Sequence, residues 1–173
     1  MVEENRESSR DREEDERFGL LGNIMRASHF EWRRAVLALC PELEPTELVK
    51  QYWEEVGKDT AKFYLKKIDG ERDLAEQVAE LFVSSSVAMG EDAEVVGSPP
   101  EGGHQARHND CPWFHWHKRM DLLPEDQVGC DHWLKTVVDE INSSRGTSLR
   151  FETLDSLPAG GNCCLRRFWE EDR

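Results

Sequence analysis

The sequence lacks the features that would assign it to a membrane-bound, secreted or nucleic-acid-binding class. It has no apolar run long enough to span a bilayer, and its start lacks the basic and apolar segments of a secretory signal. Basic residues are scarce, since 22 Lys and Arg stand against 36 Asp and Glu, a net charge of −14. Phosphate backbones and anionic lipids need basic surfaces, so we expect a cytoplasmic protein without nucleic-acid or membrane partners.

Nucleotide-binding and common hydrolase motifs are also absent. No Gly-x-Gly-x-x-Gly, P-loop, Gly-x-Ser-x-Gly or His-Glu-x-x-His occurs, so no nucleotide cofactor is predicted. Five cysteines are an odd number in a chain without an export signal, which argues against a disulfide framework. A chain of 173 residues can bury a core without such cross-links.

Histidine, cysteine and tryptophan are concentrated in the C-terminal part of the sequence. Four of the six histidines lie between positions 104 and 117, and four of the five cysteines follow position 110. Four of the six tryptophans fall in the same part of the chain. Residues 109–120 read Asn-Asp-Cys-Pro-Trp-Phe-His-Trp-His-Lys-Arg-Met, the densest run of reactive and aromatic side chains. We therefore expect the functional site in this part of the chain.

The residue pattern predicts an α+β fold. Residues 1–17 are almost entirely charged or polar, which predicts a disordered tail before a single domain over 18–173. Apolar residues at helical spacing predict helices within 18–89, over the aromatic segment 111–120 and over 124–146. Alternating residues between turn signals predict strands near 93–97, 104–108, 148–154 and 162–169. We expect the N-terminal helices to pack on a small antiparallel β-sheet as two layers.

Cys111 and His115 are four residues apart, so they share a face of the predicted aromatic helix. Such a pair suits a thiolate activated by an imidazole, or metal ligation through sulfur and nitrogen. The metal alternative would also need His108, His117 or Cys130, and the spacing matches no zinc-finger template. The third interpretation is that these Trp and His side chains simply pack together. We predict no cofactor, and leave open whether a metal ion is bound.

Cys130 lies beside Asp131 in the segment Gly-Cys-Asp-His-Trp. If Asp131 caps a following helix, Cys130 lies just before a helix N-terminus, where partial positive charge favours the thiolate. Cys130 would then serve as nucleophile or proton donor, and burial as a small apolar side chain is the alternative. The neighbouring Cys163 and Cys164 point to opposite faces of an extended strand, so we do not expect them to act as a pair.

These motifs together resemble those of the L-2-amino-thiazoline-4-carboxylic acid hydrolase family. The matching segments, over roughly the last 70 residues, are Asp110-Cys111-Pro112, Trp116-His117-Lys118, Gly129-Cys130-Asp131-His132-Trp133, and 153–164 with its Gly160-Gly161 turn and closing cysteines. The resemblance implies a hydrolase that acts on a small heterocyclic or amino-acid-derived molecule, with isomerase or cyclase chemistry in secondary metabolism as a variant. The chain is also distantly similar to vinyl-reductase-type hydrocarbon-binding domains.

The resemblance and the clusters together suggest a set of site residues. The predicted catalytic residues are Cys130, Asp131, Cys111, His115 and Cys164. The predicted substrate-binding residues are Trp113, Trp116, His117, Trp133, Arg166 and Arg167. The tryptophans would wall an apolar pocket, and an arginine would hold a substrate carboxylate. The alternative is a non-catalytic module that binds a hydrophobic small molecule. A small molecule is the expected partner in both cases, and assembly into a homo-oligomer is left open.

Overall fold

A computed structural model describes the backbone of residues 2–171 and the side chains of residues 16–171. By its internal contacts the chain divides into two units, Met1–Glu42 and Leu43–Arg173. The first unit is built around one long helix, α1 (Val2–Leu39). The predicted disordered tail falls mostly on residues whose side chains lie outside the described part, so it stays a prediction.

The second unit combines helices and strands in the order that the sequence predicts. Its helices are α2 (Pro45–Leu65), α3 (Leu74–Ala88), α4 (Pro112–Arg119) and α5 (Leu123–Arg145). Its strands are β1 (Asp92–Gly97), β2 (His104–Asp110), β3 (Leu149–Asp155) and β4 (Cys164–Glu170). The α+β fold class is confirmed, and each of the four predicted strands lies within two residues of its expected bounds.

The four strands form one antiparallel sheet in the order β1-β2-β4-β3. Helix α3 packs on β1, β2 and β4, while α5 packs on β3, so helices cover the inner face of the sheet. Strand β4 sends Cys164, Arg166 and Phe168 to this face, and all three are buried. In the sheet register, Ala106 of β2 lies opposite Arg166. The register therefore places a charged side chain in the middle of the covered face.

The hydrophobic core lies between α2, α3, α5 and the inner face of the sheet. Phe82, Leu134, Ile141 and Phe168 are among its almost fully buried members. Burying each such side chain stabilises the fold by about 1.5–3 kcal/mol. None of the described helices combines the length and the apolarity that crossing a bilayer requires.

Helix α5 begins earlier than the Cys130-Asp131 motif suggests. Leu122 is its N-cap residue and a proline stands in its first turn, which makes Asp131 an internal residue. The hypothesis that Asp131 caps a helix is therefore wrong. Gly129 lies inside α5, where its missing side chain makes room for Trp53 of α2. A Cβ atom there would lie 2.7 Å from the Trp53 ring.

Candidate functional site

Arg166 is the centre of a buried polar cluster. Its side chain is only 2% exposed. Its Nη2 donates to the Sγ atom of Cys130 and to the Oδ1 atom of Asp131, each at 3.2 Å. Cys164, two residues earlier on the same face of β4, lies close enough to the guanidinium to interact with it electrostatically. The structure thus brings together three of the five predicted catalytic residues and one predicted binding residue.

Asp131 joins this buried cluster to the surface. Its Oδ1 atom accepts hydrogen bonds from Arg166 and from the Thr153 hydroxyl at 2.9 Å. Its Oδ2 atom accepts one from the Gln127 amide at 2.6 Å. The side chain is nevertheless 37% exposed. Three donors from α5, β3 and β4 therefore fix the carboxylate in one orientation, while part of it faces solvent.

The exposed side of Asp131 faces a cleft of about 470 Å³ between α2, α5 and β3. This volume is within the range that small-molecule sites occupy. The apolar part of the cleft is formed by Val128, Val138 and Phe151. The remaining lining residues are polar or charged: Lys50, Asp131, His132, Lys135, Asp139 and Arg150.

The cysteines of the cluster are protected thiols. Burial raises the pKa of Cys130 to about 12, and the nearby Arg166 offsets this effect only in part. Burial also raises the pKa of Cys111, with the Glu91 carboxylate adding to the effect. Cys111 lies close enough to Cys130 for the two to interact electrostatically. The expected activation of Cys130 by a helix N-terminus is wrong, because Cys130 lies two turns inside α5. Thiols in this state are weak nucleophiles at neutral pH.

His117 lies in a second buried pair, with Asp126. The His117 Nδ1 atom donates to the Trp113 carbonyl at 2.9 Å and lies 3.4 Å from the Asp126 carboxylate. Burial raises the pKa of Asp126, although His117 and Arg166 act against the shift. Because His117 is only 2% exposed, its contacts in this structure are those of an interior residue.

A third buried group includes His108 of β2. Its Nε2 atom lies 2.8 Å from the Ser86 hydroxyl and 3.2 Å from the Glu91 carboxylate. Two histidine–carboxylate pairs are therefore buried in this unit. Within the described range, no three His, Cys, Asp or Glu side chains are arranged to hold a metal ion.

Three predicted site residues lie away from the Arg166 cluster. His115 is exposed and pairs with the Asp110 carboxylate at 2.5 Å. Arg167 points to the opposite face of β4 from Arg166, where it pairs with Glu152 at 2.7 Å. Trp116 packs against the Arg119 guanidinium, 3.9 Å from its ring centre. Despite their one-turn spacing, the His115 imidazole is exposed and the Cys111 side chain is half-buried.

The other two predicted tryptophans pack between helices. Trp113 meets Trp53 edge to face, with 5.3 Å between the ring centres. The Trp133 indole donates to the Thr60 hydroxyl at 3.1 Å, and its ring lies 5.7 Å from that of Phe82. Neither tryptophan, nor Trp116, lines the cleft.

Sequence reasoning missed the residues that hold Asp131 and shape the cleft. Gln127 stands four residues before Asp131 in a helix, so the spacing alone could have indicated their contact. Thr153 lies in a different element, and its contact depends on how β3 docks on α5. Val128, Val138 and Phe151 form the apolar part of the cleft and carried no signal beyond ordinary helix and strand patterning.

No protein-family model matches the chain, and no curated protein matches it either. The solved structures that are similar to it in fold include the following two. The phenol-responsive sensory domain of the transcription activator PoxR, solved with phenol, matches with a TM-score of 0.52 at 12% identity, over 83% of this chain and 73% of that one. A trafficking protein particle complex subunit 3 from Naegleria fowleri, covalently bound to palmitic acid, matches with a TM-score of 0.51 at 11% identity, over 88% of this chain and 96% of that one. At these identities the likeness is one of fold.

Proposed function

We propose that the chain is a non-catalytic module that binds a small molecule in the cleft between α2, α5 and β3. The observation that carries this proposal is Asp131, a carboxylate fixed by three donors at the edge of a 470 Å³ cleft with an apolar wall. A few fixed polar groups in a mainly apolar concavity are typical of small-molecule sites.

Three further observations support this proposal. The thiols of Cys111 and Cys130, which the hydrolase hypothesis requires, are half-buried, and their raised pKa values keep them protonated at neutral pH. Arg166 already pairs with Asp131 and is buried, so it is not open to a substrate carboxylate. The two structural neighbours were solved with phenol and with palmitic acid, which fits a fold that accommodates small ligands. The hydrolase activity stays a prediction.

A methyl NMR titration tests the proposal. Small aromatic probes are added to protein labelled at the Val methyl groups, and we expect saturable shifts at Val128 and Val138. Val128→Trp fills the cleft and should abolish the shifts at Val138. Val87→Trp is the matched control, because Val87 is 53% exposed on α3 and does not line the cleft. Unchanged cleft methyl signals with every probe would contradict the proposal.

A parallel assay separates binding from catalysis. The protein is incubated with 2-aminothiazoline-4-carboxylate, and the ring-opened product is measured by mass spectrometry. We expect no product above the rate of a buffer control. Turnover that disappears in Cys130→Ala would instead restore the hydrolase hypothesis.

A further inference from the structure

The charges around the cleft restrict the kind of molecule that it can hold. Every basic side chain that lines it has an acidic partner. Lys50 pairs with Glu47 at 2.7 Å, Lys135 with Asp139 at 2.5 Å, Arg150 with Glu171 at 3.0 Å, and His132 lies 3.6 Å from Glu54. An anionic ligand would share its basic group with a carboxylate that is already paired there. The gain in affinity is small, because exposed ion pairs at a protein surface contribute little.

Asp131, which joins the buried cluster to the cleft, also has its charge compensated. Asp131 is paired on its buried side with Arg166, whose guanidinium is always charged. A ligand cation at Asp131 would also approach this guanidinium and the Lys135 ammonium group that lines the same cleft. The cleft therefore offers no uncompensated charge of either sign.

What Asp131 does offer is hydrogen-bond acceptance. An ionised carboxylate accepts through two oxygens that have about four lone-pair sites. Three protein donors occupy part of this capacity, and the 37% exposure of the side chain leaves the rest toward the cleft. Val128, Val138 and Phe151 provide apolar contact beside it.

We infer that the ligand is an uncharged, compact molecule with an aromatic or cyclic body and one hydroxyl or N–H group, which donates to Asp131. This inference rests on the proposed function and names the class of ligand for the same cleft. Thr153, Gln127 and Arg166 act as positioning residues, because they touch Asp131 rather than the ligand.

Four probes of similar size distinguish the ligand classes: phenol, anisole, benzoate and benzylamine. Phenol is neutral and donates a hydrogen bond, and anisole lacks the donor. Benzoate carries a negative charge and benzylamine a positive one at neutral pH. We expect phenol to bind with the lowest dissociation constant in the methyl NMR titration, about tenfold or more below that of anisole, since only phenol can donate a hydrogen bond to the charged acceptor.

Three variants test the role of Asp131. Asp131→Asn should weaken phenol about tenfold or more and leave anisole unchanged, because only phenol uses the charged acceptor. Thr153→Val should also weaken phenol relative to anisole. A general loss of stability would weaken both probes alike. Asp59→Asn is the matched control, since Asp59 pairs with Lys62 on α2 and does not line the cleft; it should leave both dissociation constants unchanged.

The outcomes separate this inference from the proposed function. Tighter binding of benzoate or benzylamine than of phenol would overturn the inference and leave the small-molecule site standing. An equal effect of Asp131→Asn and Asp59→Asn on the dissociation constant of phenol would overturn the role of Asp131. If none of the four probes shifts the cleft methyl signals, the proposed function itself fails.

Discussion

Replacing Arg166 by methionine tests whether its pairing with Asp131 holds this part of the fold together. The substitution keeps the length of an apolar stem and removes the charge. Removing one partner of a buried ion pair costs about 3–5 kcal/mol, because the other charge stays buried without compensation. Asp131 is 37% exposed and keeps two neutral donors, so part of its charge is still solvated. We therefore expect Arg166→Met to lower the free energy of unfolding by about 2–4 kcal/mol.

A double-mutant cycle measures the pairing itself. Asp131→Asn keeps the shape of the side chain, removes its charge and leaves an oxygen to accept from Thr153. In the Arg166→Met/Asp131→Asn double variant no unpaired carboxylate remains. We therefore expect the sum of the stability losses of the two single variants to exceed the stability loss of the double variant by at least about 1 kcal/mol. Urea denaturation followed by tryptophan fluorescence gives all four free energies. Additive losses, or a loss below about 0.5 kcal/mol for Arg166→Met alone, would refute the reasoning.

Three other predictions follow from the same structure. Gly129→Ala should lower the free energy of unfolding by about 1–2 kcal/mol in urea titrations, because contact with the Trp53 ring outweighs the better helix propensity of alanine; unchanged stability would contradict the close packing. Cys163 should react with a thiol reagent on the order of a hundredfold faster than Cys130 when the modified peptides are mapped by mass spectrometry, since desolvation raises the pKa of the Cys130 thiol to about 12. Burial raises the pKa of Asp126, so the native state holds that proton more tightly than the unfolded state does. Wild type should therefore lose stability relative to Asp126→Asn as the pH rises from the ordinary range of an aspartate through the raised pKa, and an equal pH dependence of the two proteins would contradict it.

Periodicity was sufficient to predict most of the fold. The alternation in 149–155 and 164–170 marks strands that are covered on one face, and helical spacing in 124–146 marks the stripe that includes Leu134 and Ile141. The helix predicted over 124–146 matches α5 to within one residue, whereas the capping hypothesis for Asp131 placed a helix start after Gly129, inside α5. Close packing of Trp53 explains this glycine, and such packing is not visible in a sequence.

The candidate site was only partly predictable for a related reason. The sequence predicts site residues that include Cys130, Asp131 and Arg166, and the structure brings these three together. Their roles depend on burial, which reverses the expected reactivity of Cys130 and pairs Arg166 inside the protein. His115 shows the converse, since one-turn spacing from Cys111 did not place both side chains in the same environment. Which side of a strand or helix is covered, and by what, is set by tertiary packing.

Intermolecular NOEs between phenol and the Val methyl groups test the central claim most directly. The account predicts NOEs from the phenol ring to the methyl groups of Val128 and Val138, and their loss in Asp131→Asn at the same phenol concentration. NOEs confined to methyl groups elsewhere in the protein, or NOEs at Val128 and Val138 that persist undiminished in Asp131→Asn, would contradict it.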